Sequence, residues 1–280
     1  ALWQDEEFRL ETLEALRRQR HAIWRRAVQH VRRIGDRVLP RLRLRRLPQV
    51  TLASLAPASG VPQPVIDDDR NLPPRPGVSW RVSRWRVVRL SHDDITPLVQ
   101  IVAHRRPRLV LELGTAHGNA TANICRHSDA RVVTVNALPD QLSGECVTFA
   151  LEREHIGRVY RNHGFGDRVT QIYANTLQFR PSQHLEPGTV DLAVIDACHD
   201  FEYVRADFLA VAPMIRPGGM VLLHDTHPSR AGHLRESYDA CVWLRGQGFD
   251  IRHIRGTWWG CWVAGATPAR PQAPRTGITA

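Results

Sequence analysis

The sequence predicts an α/β fold, a Rossmann-like doubly wound sheet of seven mostly parallel strands. Short apolar runs that suit buried strands alternate with longer segments of helical spacing, which is the pattern of a parallel sheet covered on both faces. The run at residues 109–113 leads into a glycine-containing turn, a common connection from a strand to a helix in such folds. A short Arg-Gly turn at residues 255–256 joins the last two runs, so we expect the sheet to end in an antiparallel hairpin.

The individual elements follow from the hydrophobic periodicity of the chain. Strands are predicted at residues 108–113, 131–136, 168–173, 190–195, 219–224, 249–254 and 258–264. Helices are predicted at residues 92–105, 118–127, 141–155, 202–215 and 230–247. The Arg216-Pro-Gly-Gly219 segment ends the helix at 202–215, and the segment at 161–167, which has two glycines, is expected to be a loop.

Composition divides the chain into four parts. Residues 1–46 are predicted to form a long basic amphipathic helix, and residues 47–89 a proline-rich linker or wrap. Residues 90–266 hold the α/β domain, and residues 267–280 are expected to be a disordered tail. The helix has three interpretations: packing on the core with a solvated arginine face, an interface for a partner protein or a homodimer, or binding to an anionic membrane or nucleic acid.

Charge and cysteine content narrow the class of protein. The chain has a formal net charge of +10, and all 38 basic residues are arginine, which is typical of a genomic composition bias. The charge is therefore weak evidence for a nucleic-acid partner, and no run of 18 apolar residues predicts a membrane span. The five cysteines are scattered without a Cys-x-x-Cys pair, which favours a reduced, cytoplasmic protein without a zinc site.

The glycine turn after the first long strand indicates a ligand site. Glu112 stands at the end of the strand, and Gly114 and Gly118 have the spacing G-x-x-x-G rather than the G-x-G-x-x-G of dinucleotide-binding proteins. Such a turn directs backbone N–H groups and a helix N-terminus towards a polar ligand. The carboxylate disfavours a pyrophosphate and favours a ligand with cationic or hydroxyl groups.

Polar residues also follow the other predicted strands. Because the carboxyl ends of parallel strands meet at one edge of the sheet, we expect these side chains to converge there. They are Glu112, Asn136, Asn175, Asp196 and Asp225.

Three motifs stand in an order and spacing typical of one enzyme family. They are Glu112-x-Gly114-x-x-x-Gly118, Ile195-Asp196-x-x-His199, and Arg216-Pro-Gly-Gly219 followed by His224-Asp225. Together they resemble class I S-adenosylmethionine-dependent methyltransferases, in the branch that includes small-molecule O-methyltransferases and relatives of the cephalosporin-hydroxylase methyltransferase-like group. The resemblance extends from about residue 90 to residue 265. It implies S-adenosylmethionine as the cofactor and a hydroxyl group of a small molecule, a sugar or a secondary metabolite, as the methyl acceptor.

The resemblance also assigns roles to residues of the predicted edge. The residues that it implies for cofactor binding are Glu112, Gly114, Thr115, Ala116, Gly118, Asn136, Asn175 and Asp196. Asn136 and Asn175 stand where the family usually has acids, near the ribose and the adenine. These two departures leave open weaker cofactor binding, a changed nucleoside contact or a degenerate site.

Catalysis is expected beyond the fourth long strand. Methyl transfer is an in-line displacement, so the enzyme positions two reactants and removes the proton of the hydroxyl acceptor. His199 is the expected general base because an imidazole titrates near neutral pH, and Asp196 and Asp225 are expected to position the acceptor. Alternatively Asp196, His224 and Asp225 hold a divalent ion such as Mg²⁺, although a histidine is a less typical ligand for it.

Two other functions compete with this hypothesis. One is a catalytically silent methyltransferase fold that binds a partner through the N-terminal helix. The other is a nucleic-acid methyltransferase, which is less favoured because the arginines concentrate outside the catalytic domain and no Asn/Asp-Pro-Pro-Tyr-type motif is present.

Overall fold

The computed structural model describes residues 47–57, 95–142, 150–227 and 235–265. The predicted N-terminal helix and the predicted tail lie outside these residues, as does most of the predicted linker. The three predicted boundaries between the four parts of the chain therefore remain predictions.

A single sheet of eight strands forms the centre of the described structure. The strands are β1 Gln49–Val50, β2 Leu109–Leu113, β3 Arg131–Asn136, β4 Val169–Tyr173, β5 Val190–Ile195, β6 Ile215–Leu223, β7 Arg252–Ile254 and β8 Gly260–Val263. Their order across the sheet is β1-β7-β8-β6-β5-β2-β3-β4. Strand β8 is antiparallel to both β6 and β7, and every other neighbouring pair is parallel. The predicted mostly parallel sheet with an antiparallel hairpin is confirmed.

The predicted count of seven strands is wrong because β1 adds an eighth. This strand has two residues, and it pairs with β7 through Gln49 opposite His253. Two residues in a proline-rich stretch show no periodicity, so the sequence pattern cannot reveal them.

Six α-helices flank the sheet within the described ranges. They are α1 Leu52–Leu55, α2 Ile95–Arg105, α3 Asn119–His127, α4 Arg158–Asn162, α5 Phe201–Val211 and α6 Arg235–Gly246. Helices α2, α3, α5 and α6 agree with the predictions to within a few residues where they are described. None of the helices in these ranges is long and apolar enough to cross a membrane.

The predicted helix at 141–155 is wrong in its described part. Residues 150–155 are irregular or in turns. Helix α4 begins only at Arg158 and extends into the start of the segment at 161–167, which was expected to be a loop. Gly157 separates these turns from α4, because its φ of +72° lies in the left-handed region and a right-handed helix cannot continue through such a residue.

Strand β6 also begins earlier than predicted. A short 3₁₀ turn at Ala212–Met214 ends the helical segment, and β6 runs from Ile215 through the Arg216-Pro-Gly-Gly219 segment. The register against β5 shifts between Val190 and Leu192, so the proline and glycines lie at an irregularity of the strand pair.

The two faces of the sheet bury two apolar layers, because side chains alternate along each strand. On one face Val110 and Leu192 pack with Leu98, Ile101 and Ile124 of α2 and α3. On the other face the neighbouring strand positions pack against α5 and α6. The principal residues of that layer are Leu111, Ile195, Val221, Phe208 and Leu244.

Strands β2, β3, β5 and β6 end at one level, since Leu113 is the register partner of both Val135 and Ile195, and Ile195 is the partner of Leu223. The residues that directly follow these four positions are Gly114, Asn136, Asp196 and His224. They form one row at the carboxyl edge of the sheet.

Phe208 should contribute strongly to stability. Its ring is fully buried and makes edge-to-face contacts with Phe249 at 4.9 Å and Trp262 at 5.5 Å between centroids. We expect Phe208→Ala to lower the free energy of unfolding by about 3 to 5 kcal/mol in a denaturant titration. Leu209→Ala is the matched control, because Leu209 is 40% exposed on the same helix, and it should stay within about 0.5 kcal/mol. Equal effects of the two variants would contradict this core assignment.

Candidate active site

The glycine turn is shaped by the close approach of β2 and β5. Gly114 has a φ of +104°, and a Cβ atom on it would lie 2.1 Å from the backbone oxygen of Asp196. The Asp196 N–H donates to the Leu113 carbonyl at 2.8 Å, which holds the two strand ends together. At Gly118 a Cβ atom would lie 2.8 Å from the ring of Tyr160. Both glycines of the motif are therefore required by the packing of the chain itself.

Ala116 is the exposed crest of this turn and is held in a strained conformation. Its φ of +45° lies in the left-handed region, which costs about 1 kcal/mol for a residue with a Cβ atom. Two hydrogen bonds hold it there: its N–H donates to Oδ1 of Asn136 at 2.9 Å, and its carbonyl accepts from Gly157 at 2.9 Å. The Asn136 amide nitrogen also donates to the Ala137 carbonyl at 2.8 Å. Asn136 therefore orients the glycine turn.

Asn175 holds the loop that follows β4. Its amide nitrogen donates to the carbonyl of Gln141 at 3.2 Å and to the hydroxyl of Tyr203 at 3.4 Å, and its side-chain oxygen accepts from the N–H of Leu177 at 3.0 Å. The residue is buried. Its amide is thus used within the chain on both its donor and its acceptor side.

Glu112 is fully buried below the glycine turn rather than exposed at the edge. Its Oε2 accepts hydrogen bonds from the hydroxyls of Thr134, at 2.5 Å, and Thr121, whereas Oε1 has no hydrogen-bond partner among the described residues. Burial raises the pKa of this carboxyl from 4.5 to about 7, although both threonines oppose the shift; the charge of Asp196 adds to it.

Two histidines and two aspartates converge beyond β5 and β6. Nδ1 of His224 lies 3.0 Å from Oδ1 of Asp196 and 3.8 Å from Oδ1 of Asp225. Nε2 of His199 lies 3.6 Å from Oδ2 of Asp225 and 3.9 Å from Oδ1 of Asp196. The two imidazole rings are 6.3 Å apart between centroids. Each imidazole thus lies within 4 Å of both carboxylates, an arrangement that stabilises a protonated ring.

The surroundings of this cluster hold its members in place. The ring of Trp259 packs edge-on against His224 at 4.6 Å, and the hydroxyl of Ser237 lies 3.4 Å from Nδ1 of His199. Asp225 has a φ of +55° and a side chain that is only 5% exposed, whereas the side chain of Asp196 is 34% exposed. Asp196 is therefore the carboxylate of the pair that a ligand reaches more readily.

The predicted magnesium site is not formed in this geometry. No set of three or more His, Cys, Asp or Glu side chains within the described residues is arranged to hold a metal ion. His224 Nδ1 and Asp196 Oδ1 lie 3.0 Å apart, too close for an ion to lie between them. We therefore derive no step from a metal at Asp196, His224 and Asp225.

The carboxyl edge suits a ligand with a cationic group and hydroxyls. Ala116 is exposed, and Gly114, Asn136 and Asp196 are partly exposed beside one another at the ends of adjacent strands. Asp196 contributes negative charge, and Asn136 contributes amide groups within the same row. These properties fit the sulfonium and ribose of S-adenosylmethionine.

The cysteines differ from the sequence-based expectation at one position. Cys198, which lies between Asp196 and His199, is disulfide-bonded, whereas Cys125, Cys241 and Cys261 are free and buried. The expectation of a fully reduced set is therefore wrong for Cys198. Cys146 lies outside the described residues.

The structure brings most of the predicted site residues together but distributes them over two layers. The exposed row at the strand ends and the histidine–aspartate cluster lie at the carboxyl edge, as predicted from strand order. Glu112 lies in the buried layer beneath the turn. Sequence patterns missed Gly157, Tyr160 and Gln171, which contact the turn or its threonine, because these residues carry no motif and come from separate elements.

A comparison with protein families identifies the domain. Residues 111–226 match the model of a methyltransferase domain. The matched residues include the glycine turn and the histidine–aspartate cluster, and the methyltransferase resemblance is confirmed at that level. A search of curated proteins finds no match.

Solved structures resemble the chain loosely. TomG, an O-methyltransferase of Streptomyces achromogenes involved in tomaymycin synthesis, is 20% identical over 60% of this chain and 78% of its own, with a TM-score of 0.43. A Bacillus cereus O-methyltransferase is 21% identical over 59% and 77%, with a TM-score of 0.40. The Podospora anserina methyltransferase PaMTH1 is 16% identical over 61% and 76%, with a TM-score of 0.44.

The buried carboxyl of Glu112 should make stability depend on pH. Because its pKa in the folded protein is about 7, above its ordinary 4.5, ionisation opposes folding, so its contribution to stability is lost as the pH rises from 4.5 to 7. Glu112→Gln cannot ionise. We expect the free energy of unfolding of this variant, relative to the unaltered protein, to increase by about 3 kcal/mol between pH 4.5 and pH 8 in denaturant titrations.

The control for this measurement is Glu202→Gln, which changes a glutamate whose side chain is 57% exposed. It should unfold like the unaltered protein at both pH values. A Glu112→Gln difference that does not change with pH would disprove the buried-acid assignment.

Proposed function

We propose that this chain, through the methyltransferase domain at residues 111–226, transfers a methyl group from S-adenosylmethionine to a hydroxyl oxygen of a small molecule. The single observation that supports this most is the cluster of His199, His224, Asp196 and Asp225 at the strand ends next to the glycine turn. It combines groups that accept a proton with carboxylates that attract a cation, at one edge of the sheet.

The cofactor would lie along the row of residues at the strand ends. The backbone of the turn from Gly114 to Gly118 and the partly exposed side chain of Asp196 would hold its methionine part, and Asn136 would face the ribose. Asn175 would support the loop beside the adenine. Glu112 would act from below the turn through Thr121 and Thr134, because its carboxyl is buried.

When bound, S-adenosylmethionine supplies a methyl group on a positively charged sulfonium sulfur. His199 would take the hydroxyl proton as the acceptor oxygen bonds to the methyl carbon and the carbon–sulfur bond breaks. Asp225, 3.6 Å from Nε2 of His199, would stabilise the imidazolium that forms. Ser237 would orient the ring from its other nitrogen. Asp196, paired with His224, would position the acceptor near the methyl group.

A silent methyltransferase fold that binds a partner is the second candidate. One observation favours it: Asn136 and Asn175, which replace acids at the expected nucleoside contacts, use their amides within the chain. A ligand would have to share these hydrogen bonds or displace them. Binding of the cofactor decides between the two candidates.

Calorimetric titration with S-adenosylmethionine and S-adenosylhomocysteine tests the cofactor site. We expect one ligand per chain with a micromolar dissociation constant. Asp196→Asn should weaken S-adenosylmethionine binding by about tenfold or more, because it removes a charged partner at the edge. Asp167→Asn, at an exposed aspartate outside the edge, should bind like the unaltered protein. A folded protein that binds neither compound would favour the silent fold.

His199→Ala tests the general base. Once an acceptor is found, we expect the turnover rate to fall by about 100-fold or more with the affinity for S-adenosylmethionine unchanged. His104→Ala is the control, because His104 is an exposed histidine in the last turn of α2. Full turnover in His199→Ala would remove His199 from the mechanism.

A further inference from the structure

A continuous line of hydrogen bonds connects helix α4 to the buried carboxyl below the glycine turn. The Tyr160 hydroxyl lies 3.3 Å from Oε1 of Gln171, whose amide nitrogen lies 3.0 Å from Oγ1 of Thr115. The Thr115 hydroxyl lies 2.7 Å from that of Thr134, which lies 2.5 Å from Oε2 of Glu112. Four of these residues are at most 3% exposed, and Gln171 is partly buried. We call these five residues the Tyr160–Glu112 line.

With the Glu112 carboxyl ionised, as at pH 8, the direction of every bond in the line follows from the number of protons available. Thr134 has one hydroxyl proton and donates it to Glu112, so the proton between the two threonines belongs to Thr115. Thr115 then accepts from the amide of Gln171, and the amide oxygen of Gln171 accepts from Tyr160. All donors therefore run from α4 towards Glu112. The line needs at Gln171 a side chain that donates at one end and accepts at the other.

Helix α4 and the residue before it also contact the glycine turn directly. Gly157 donates its N–H to the Ala116 carbonyl and Val159 donates to the His117 carbonyl, each at 2.9 Å. The ring of Tyr160 lies against Gly118, where a Cβ atom would come within 2.8 Å of it. Backbone hydrogen bonds from Gly157 and Val159 thus hold the turn on one side, and the buried side chain of Thr115 holds it on the side that faces the sheet.

We propose that Tyr160 and Gln171 are positioning residues of the cofactor site, which set the glycine turn for S-adenosylmethionine through Thr115 without touching the ligand. This inference rests on the proposed function. The position of Thr115 in the middle of the line explains the effect: Thr115 belongs to the turn, whereas Tyr160 and Gln171 lie on α4 and β4. Loss of the bond from Gln171 leaves the Thr115 hydroxyl with Thr134 as its remaining partner in the line and so loosens the hold on the turn from below.

The titratable groups that face the line are few among the described residues. Glu112 lies at one end of the line. The charge of Asp196 raises the pKa of Glu112, and the charge of Glu112 in turn raises the pKa of Cys125 on α3. Arg161 and Tyr173 flank Tyr160. Because Glu112 itself gains a proton between pH 8 and pH 5, the unaltered protein is measured beside each variant at both pH values.

Two substitutions at Gln171 test the direction of the bonds. Gln171→Glu places a carboxylate there that can only accept when ionised. At pH 8, where Glu112 is also ionised, this carboxylate and the Thr134 oxygen compete for the one proton of Thr115, whereas at pH 5 protonation of either carboxyl supplies the missing proton. We expect its affinity for S-adenosylhomocysteine, relative to the unaltered protein, to be at least about tenfold lower at pH 8 and to recover at pH 5. Gln171→Met should be weaker at both pH values without recovery.

Tyr160→Phe keeps the ring against Gly118 and removes only the hydroxyl. It should weaken the binding of S-adenosylhomocysteine by about threefold to tenfold, raise KM for the cofactor and leave kcat nearly unchanged. Gln183→Glu, at an exposed glutamine of the described chain, is the matched control and should bind normally at both pH values.

The outcomes separate this inference from the proposed function. Binding by the unaltered protein together with the pH-dependent recovery of Gln171→Glu supports the positioning role. Binding by the unaltered protein with no loss in the folded Gln171 and Tyr160 variants overturns the positioning role alone. If the folded, unaltered protein binds neither S-adenosylmethionine nor S-adenosylhomocysteine, both proposals are overturned. Denaturant unfolding of each variant at both pH values identifies any variant whose loss of binding comes from unfolding.

Discussion

The common level of four parallel strand ends is the constraint on which the site depends. Ladder hydrogen bonds fix the ends of β2, β3, β5 and β6 in register, and the residue after each strand therefore enters the same edge. The contact of Gly114 with the backbone of Asp196 is the tightest point of this arrangement. A shift of one residue between β2 and β5 would turn Glu112 towards the other face and separate the glycine turn from the histidine–aspartate cluster.

Most of the fold could be predicted because the apolar periodicity of a long segment indicates both its secondary structure and its buried face. Strands β3 and β5 begin and end at the predicted residues, since alternating or continuous apolar runs bounded by polar residues leave little ambiguity. Strand β1 and helix α4 could not be predicted. Two residues form β1, and α4 has five, so tertiary partners rather than local pattern decide their structure.

The sequence predicts most of the residues that form the candidate site, but not how deeply each one is buried. Strand order alone places Asp196 and Asp225 at the edge with the glycine turn, and spacing after β5 adds His199. Periodicity could not show that Glu112 lies beneath the turn, or that the side-chain amides of Asn136 and Asn175 form hydrogen bonds with the backbone. These properties depend on residues from other elements of the fold. For the magnesium hypothesis, no group of three or more His, Cys, Asp or Glu side chains within the described ranges is arranged to hold an ion.

Strand β1 bears on the order in which the molecule folds. Its pairing with β7 joins positions 204 residues apart, and the bond from Leu47 to the hydroxyl of Tyr238 joins positions 191 residues apart. Closing so long a loop loses chain entropy that only a few contacts offset, whereas β2, β3 and α3 are near neighbours along the chain. The glycine turn can therefore assemble early in a local nucleus, while β1 docks late and completes an edge that is already formed.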